Sequence, residues 1–329
     1  MNKRLLMLIA LVLALVLPAS MPAFAWETII SFGDSLSDDG NGGSNNFPGY
    51  LPPGATGPSS DGPVWLNYLA DSMDIELEGR AIGGAQTEGP IPTWFFADIG
   101  MKAQIDRYLI SLGASPEGGH DLSGILFTVW IGGNDFLANP TNPFEVIGPA
   151  IDSIETSIQT IVDAGAEDIL IMSMPNLGLA PAIFLQGPNA QIAYTAASQT
   201  FNELLTQSVC RLRNINRGVT KFYMADTFKL LQYAVDNGEI LGFGNVDYPC
   251  SWDDGVSCDD AVFYDGIHPT TATHKYLAAL ALGQIKHGYI SKEMKAVLKK
   301  LNPIHPRKSF VINCFDEEPE FEPEPEEEY

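Results

Sequence analysis

Positive charge is scarce in this sequence: its 329 residues carry 18 Lys and Arg against 41 Asp and Glu, a formal net charge of -23. Nine of the acids lie after Phe315, and the excess persists without them. A field of that sign repels phosphate backbones, which excludes nucleic acid as a partner. Cysteine is also rare, with only Cys210, Cys250, Cys258 and Cys314. None of them falls in the tight Cys-x-x-Cys spacing of a structural zinc site, and no EF-hand pattern is present, so no metal is expected. Beyond Ala25, Asp, Gly, Pro or Asn interrupts every apolar run before it reaches the roughly 20 residues a spanning helix needs. No internal repeat is visible, which removes solenoid architectures.

The first residues read differently. Met1-Asn2-Lys3-Arg4 is a charged start, Leu5 to Leu17 is continuously apolar, and Ala23-Phe24-Ala25 is an A-x-A cleavage site. This pattern predicts a signal peptide over 1–25, cleavage before Trp26 and an exported protein, extracellular or periplasmic. Export permits disulfides. Cys250 and Cys258 bracket a short polar loop and are expected to bridge, whereas Cys210 and Cys314 pair only by default. At the other end, residues 316–329 form a Pro/Glu tract that should stay disordered. The span 26–315 is left as one domain, long enough for a substantial core.

Five apolar, β-branched runs stand out: Trp26–Phe32, Ile75–Ala81, Gly124–Ile131, Asp168–Met174 and Val219–Ala225. Helical periodicity separates them. Pro63–Ala70 reads as a helix opening on proline; Ile99, Met101, Ile105, Leu109 and Leu112 trace an apolar face. Ile147, Ile151, Ile154, Ile158 and Ile161 trace another, Asn189–Asn214 reads as a long helix, Thr227–Val235 as a short one, and a last helix follows Pro269. Alternating strands and helices predict a three-layer α/β/α fold around about five parallel strands, flavodoxin-like, because five strands cannot close an eight-stranded barrel. The Gly, Pro, Ser and Asn content of Leu36–Gly62 predicts a surface loop.

Three of the runs stop abruptly. The first ends in Gly33-Asp34-Ser35-Leu36, the second leads into Gly83-Gly84, and the third ends in Gly132-Gly133-Asn134-Asp135; a late loop holds Asp265-Gly266-Ile267-His268. Strand carboxyl ends are where ligand sites form in open α/β sheets. Acyl transfer needs a nucleophile, a base, a group that orients the base, and donors for the oxyanion. Ser35 fits the first role, His268 the second and Asp265 the third, since an Asp and a His three residues apart on one loop can meet locally. The backbone N–H groups of Ser35 and Gly84 and the side-chain amide of Asn134 fit the fourth.

These four motifs, in this order and across nearly the whole mature chain, resemble those of the GDSL or SGNH hydrolases. Asp61-Gly62-Pro63-Val64-Trp65 is also similar to a Ser-Asn-Gly-Pro-Val-Trp stretch in the phospholipase/lecithinase/hemolysin-like branch, with Asp61 where that branch often has asparagine. The resemblance implies a flavodoxin-like fold, no metal or cofactor, and action on esters or thioesters, in some members as acyltransferases. It implies Ser35 as nucleophile and first oxyanion donor, Gly84 and Asn134 as the other donors, His268 as base and Asp265 as its partner. Ser37 replaces the second glycine of Gly-x-Ser-x-Gly, which argues against an α/β-hydrolase nucleophile elbow.

Competing assignments are weaker. Ser37 lies one position beyond the motif. His120, His274, His287 and His305 lack an acid at matching spacing, and His274 is expected to pack or hydrogen-bond locally. Asp38-Asp39 and Asp253-Asp254 resemble the paired carboxylates of glycosidases, but their polar loops read as solvated turns. Trp94-Phe95-Phe96 reads as a packed loop or an acyl or lipid contact. The expected activity is a secreted serine esterase or lipase acting on ester or lipid substrates, with acyltransferase or phospholipase activity as variants. A non-catalytic binding protein on the same scaffold is the reading from another class. Transient membrane-surface contact is compatible with this activity, and no obligate protein partner is inferred.

Overall fold

The computed structural model describes residues 26–46, 58–89, 98–113, 121–138, 141–253, 255–285 and 292–304. The expected leader (1–25), the acidic tail (316–329), Trp94-Phe95-Phe96 and Cys314 lie outside these ranges.

Among the described residues, five strands form one parallel sheet: β1 (Thr28–Gly33), β2 (Glu76–Gly79), β3 (Ile125–Trp130), β4 (Asp168–Met172) and β5 (Lys221–Ala225). Their order is β2-β1-β3-β4-β5, and every neighbouring pair is parallel. The fold is the three-layer α/β/α arrangement that the alternating pattern predicts. Apolar side chains point both ways along each central strand. Ile30 and Phe32 of β1, Phe127 and Val129 of β3, and Ile169 and Ile171 of β4 enter one core; Ile29, Leu126, Trp130, Leu170 and Met172 enter the other. A strand covered on both faces has no polar side, which explains the continuous apolar runs.

The helices divide between these cores. Those named here are α1 (Gly42–Asn46), α2 (Trp65–Met73), α3 (Met101–Ser111), α4 (Gly133–Ala138), α5 (Ile147–Asp163), α6 (Pro181–Phe184), α7 (Pro188–Ile215), α8 (Thr227–Asp236), α9 (Gly238–Leu241), α10 (Thr271–Ile285) and α11 (Lys292–Lys300). The isoleucine stripe of α5 packs with α3 and α7 on the first face, and α2, α8, α10 and α11 cover the second. Connections from β1 therefore leave over the second face through α2, and those from β2 and β3 leave over the first. The switch opens a crevice at the carboxyl ends of β1 and β3.

Two expectations need correction. Helix α2 begins at Trp65 with Val64 as its N-cap, so Pro63 lies outside the first turn. The segment after Ser35 is not a plain surface loop. Ser37 and Asn46 are buried, α1 interrupts it, and the Asn46 amide donates to the carbonyls of Gly42 (2.8 Å) and Arg80 (2.6 Å). Asparagine side-chain amides let an irregular segment bond to the backbone at a sheet edge, which composition does not reveal.

Candidate active site

At the end of β1 the chain turns sharply at Gly33 and delivers Ser35 into the crevice. A Cβ on Gly33 would lie 2.2 Å from the Trp130 carbonyl, so only glycine allows β1 and β3 this close. Gln104 of α3 completes the strand end: its Oε1 accepts the Gly33 N–H (2.9 Å) and its Nε2 donates to the Gly33 carbonyl (2.8 Å).

The late loop approaches from the opposite side. Its turn is closed by Tyr264 N–H donating to the His268 carbonyl (2.8 Å). Inside it, Asp265 Oδ1 accepts the N–H groups of Ile267 (2.9 Å) and His268 (2.8 Å). This leaves Oδ2 for His268 Nδ1 at 2.8 Å, while His268 Nε2 lies 2.8 Å from Ser35 Oγ. Burial pushes the Asp265 carboxyl up, but the His268 ring and the backbone N–H donors outweigh it and hold the group below the ordinary aspartate value. Asp265 thus stays ionised where it faces the imidazole.

The other wall carries Gly84 and Asn134. Gly84 has φ +82°, a left-handed conformation that suits glycine, and a Cβ on Gly83 would lie 3.8 Å from that of Ser35. Asn134 Nδ2 donates to the Ala85 carbonyl (2.8 Å), and Gln86 Nε2 donates back to the Asn134 carbonyl (3.1 Å). One amide proton of Asn134 is thereby spent on orientation, leaving the second for a ligand.

Three carboxylates that sequence reasoning left out underlie this wall. Asp38 Oδ2 accepts the Gly83 N–H (2.8 Å) and Oδ1 the Gly40 N–H (2.9 Å). Asp135 accepts the Thr87 hydroxyl (2.8 Å) and N–H (3.1 Å). Asp34, 2% exposed, accepts the Leu36 N–H (3.0 Å). Burial raises all three above the ordinary value, against the pull of their donors, and Asp34 reaches about 7. Asp38 is therefore no solvated turn residue, as its Asp-Asp context suggests. Asp253 is exposed and accepts the Gly255 N–H (2.9 Å), as a turn residue does. The one available signal for Asp38 and Asp135 is their closeness in sequence to Ser35 and Asn134.

The remaining candidates are accounted for locally. Ser37 is buried and accepts from Trp65 Nε1 (3.1 Å). His274 is buried, accepts the Trp65 N–H at Nδ1 (3.2 Å) and is held by that burial at about 3, neutral at ordinary pH. His120, His287 and His305 lie outside the described residues. Asp61 Oδ1 accepts the Thr271 N–H (2.7 Å) at the start of α10, and Ser60 Oγ donates to the Pro269 carbonyl (3.0 Å). The 60–61 segment thus anchors the end of the His268 loop. Cys250 and Cys258 are disulfide-bonded, and the Cys250 N–H donates to the Phe263 carbonyl (3.0 Å), two residues before Asp265. Cys210 also forms a disulfide; its default partner Cys314 is outside the described residues. Among the described residues no cluster of His, Cys, Asp and Glu is arranged to hold a metal ion, and no helix is long and apolar enough to cross a membrane.

The chain is similar to several known proteins. It is 28% identical to a thermolabile hemolysin of Vibrio parahaemolyticus over 79% of this chain and 64% of the hemolysin. An acetylesterase of Thermothelomyces thermophilus is 27% identical over 76% of this chain and 85% of the esterase. A phosphatidylcholine-sterol acyltransferase of Aeromonas hydrophila is 31% identical over 50% of this chain and 48% of the acyltransferase. The chain thus spans less than two thirds of the hemolysin and about half of the acyltransferase. The profile of the GDSL-like Lipase/Acylhydrolase family runs over residues 29–281, from the strand that precedes Ser35 to the helix that follows His268, and the chain belongs to that family.

Proposed function

We propose that this ester-bond hydrolase cleaves carboxylic esters through an acyl-enzyme on Ser35. The observation that carries the reading is the unbroken chain from Ser35 Oγ through the His268 ring to Asp265, both links 2.8 Å. Ser35 Oγ attacks the ester carbonyl as His268 Nε2 takes its proton. Asp265 fixes the tautomer and stabilises the imidazolium. The oxyanion develops toward the N–H groups of Ser35 and Gly84 and the free proton of Asn134 Nδ2. His268 then protonates the departing alcohol and activates the water that releases the acid. A second reading, acyl transfer to an alcohol in place of water, is supported by the 31% identity to an acyltransferase. The substrate class is an ester or lipid, and the leader pattern supports export after cleavage before Trp26, with transient contact at a lipid surface.

The test is hydrolysis of a chain-length series of p-nitrophenyl esters by protein beginning at Trp26, beside Ser35→Ala. Turnover in the parent lost in the folded variant is expected. A folded parent inert on esters, thioesters and phospholipids would sink the reading in favour of a binding protein. Adding an alcohol acceptor separates the two acyl fates by product. Mass measurement of the exported chain checks the cleavage point.

A further inference from the structure

The rim beside His268 carries an apolar patch that the chemistry does not use. Gly266, between Asp265 and His268, packs against two elements: a Cβ placed on it would lie 3.1 Å from Ala182 Cβ and 3.3 Å from Trp252 Cζ2. Ala182 belongs to α6, and its N–H donates to the Gly266 carbonyl (2.8 Å). The same single turn presents Phe184 (52% exposed) and is followed by Leu185 (70%), with Ile192 (68%) in the opening turns of α7. On the other side Trp252 meets Tyr248 edge-on at 5.8 Å, both half out in solvent. The Cys250–Cys258 disulfide and the Ser251 N–H to Tyr264 carbonyl bond (2.9 Å) fix that pair to the loop. Large exposed apolar side chains gathered at a site mouth mark a contact surface.

Charge identifies the occupant. Pro175 to Asn202 contains no charged residue, and Gly238 to Thr270 contains seven Asp and Glu but no Lys or Arg. The patch is an uncharged apolar wedge in an acidic field, with one Trp and one Tyr at its edge. Such a field repels an anionic membrane. Amphipathic rings at the boundary between apolar and polar suit the headgroup level of a lipid layer. We infer that Phe184, Leu185, Trp252 and Tyr248 seat the protein on a zwitterionic phospholipid surface, placing the His268 loop at the lipid headgroups. This deepens the ester-hydrolase reading and rests on it for the purpose of docking, though docking itself needs no turnover.

The experiment is flotation of the mature chain with phosphatidylcholine vesicles, run on the parent, Ser35→Ala, Leu185→Asp, Phe184→Ser and Val219→Asp. Val219 is comparably exposed (64%) but lies just before the amino end of β5, away from the carboxyl ends where the crevice opens. Parent, Ser35→Ala and Val219→Asp should float. Leu185→Asp and Phe184→Ser should bind about tenfold or more weakly, the scale of burying one large apolar side chain. Their hydrolysis of vesicle lipid relative to a soluble ester should fall by a similar factor. Phosphatidylglycerol in the vesicles should weaken parent binding. A parent that stays in the aqueous layer, or a Leu185→Asp that floats like the parent, overturns the inference. So does a dimer in vesicle-free buffer that Leu185→Asp dissociates, which would give the face to a second copy. Parent that floats but hydrolyses nothing would instead break the Ser35 reading and leave the surface standing.

Discussion

The two walls of the crevice around Ser35 are built on different principles. The base wall is local: Asp265 and His268 share one short turn, whose backbone orients the carboxylate before the imidazole reaches Ser35. The donor wall is assembled from the ends of β2 and β3, and polar side chains hold its parts in place. Asp38 holds Gly83, Asp135 holds Thr87, and Asn134 and Ala85–Gln86 hold each other. Chemistry that needs two adjacent side chains can be encoded in a few residues. Chemistry that needs backbone N–H groups aimed at one point must be encoded in tertiary contacts, here partly buried carboxylates and amides.

Breaking the base wall should cost most. His268→Ala is expected to lower kcat by about 10⁴-fold or more, and Asp265→Asn by about 10⁴-fold, through loss of the base and of its correct tautomer. Steady-state hydrolysis of a soluble ester, with circular dichroism to verify folding, checks both. A variant of either that retains turnover would remove its residue from the reaction. The donor wall should fail more gently. Asn134→Ala should lose about 2.7–4 kcal/mol of transition-state stabilisation, mostly in kcat, because the donor is engaged only when charge develops on the oxygen. Unchanged kcat would take Asn134 out of the oxyanion hole.

How much of this could be read beforehand follows the same division. All five strands, the long helices and the Ser35, Asp265 and His268 positions are legible, because apolar periodicity and short motifs are local signals. Helix α4 is not: it starts within Gly133-Asn134-Asp135, too short for a periodic face. Gln104 sits among the apolar positions of α3 and looks like a polar interruption until β1 is placed beside it. Asp38 looks like half of a solvated pair until Gly83 arrives from the turn beyond β2. Asp61, whose place in the motif has no obvious chemistry, proves to hold the first N–H of α10. Gln104, Asp38 and Asp61 are each a polar residue whose partner is far away in sequence.

Smaller effects sharpen the contrast. Reducing the Cys250–Cys258 bridge, eight residues apart, should lower stability by about 2.5 kcal/mol on the chain-entropy scale. It should also loosen the segment paired with Phe263 and Tyr264, so activity should fall on reduction; equal activity with and without reductant would uncouple the bridge from the base wall. Asp38→Ala, which frees Gly83, should lower kcat by about 10–100-fold with KM nearly constant, the scale of a sub-ångström to 1 Å misplacement. Asp38→Asn should recover part of that loss, since its amide oxygen can still accept one N–H. A fall in the folded fraction with kcat per folded molecule unchanged would reduce Asp38 to a folding residue.

The smallest net effect comes from two buried groups that work against each other. Asp34 titrates near 7 in the folded chain against 3.8 for the free group, so between those pH values the unfolded chain has lost a proton that the folded chain keeps, and stability falls as pH rises. His274 titrates near 3 against 6.5, so between those values the unfolded chain has gained a proton that the folded chain refuses, and stability falls as pH drops. Each is worth about 4–5 kcal/mol over its full window. Where the windows overlap, from about pH 4 to 6.5, the two slopes oppose, and the parent should show only a shallow dependence. Asp34→Asn should uncover the histidine, giving a denaturation midpoint that climbs with pH across this range. His274→Asn keeps an acceptor for the Trp65 N–H and should uncover the carboxyl, giving a midpoint that declines with pH, with Asp38 and Asp135 adding to the decline. Urea melts at a series of pH values resolve the sign. Identical slopes in the parent and both variants would mean that neither group is held against its charge by burial.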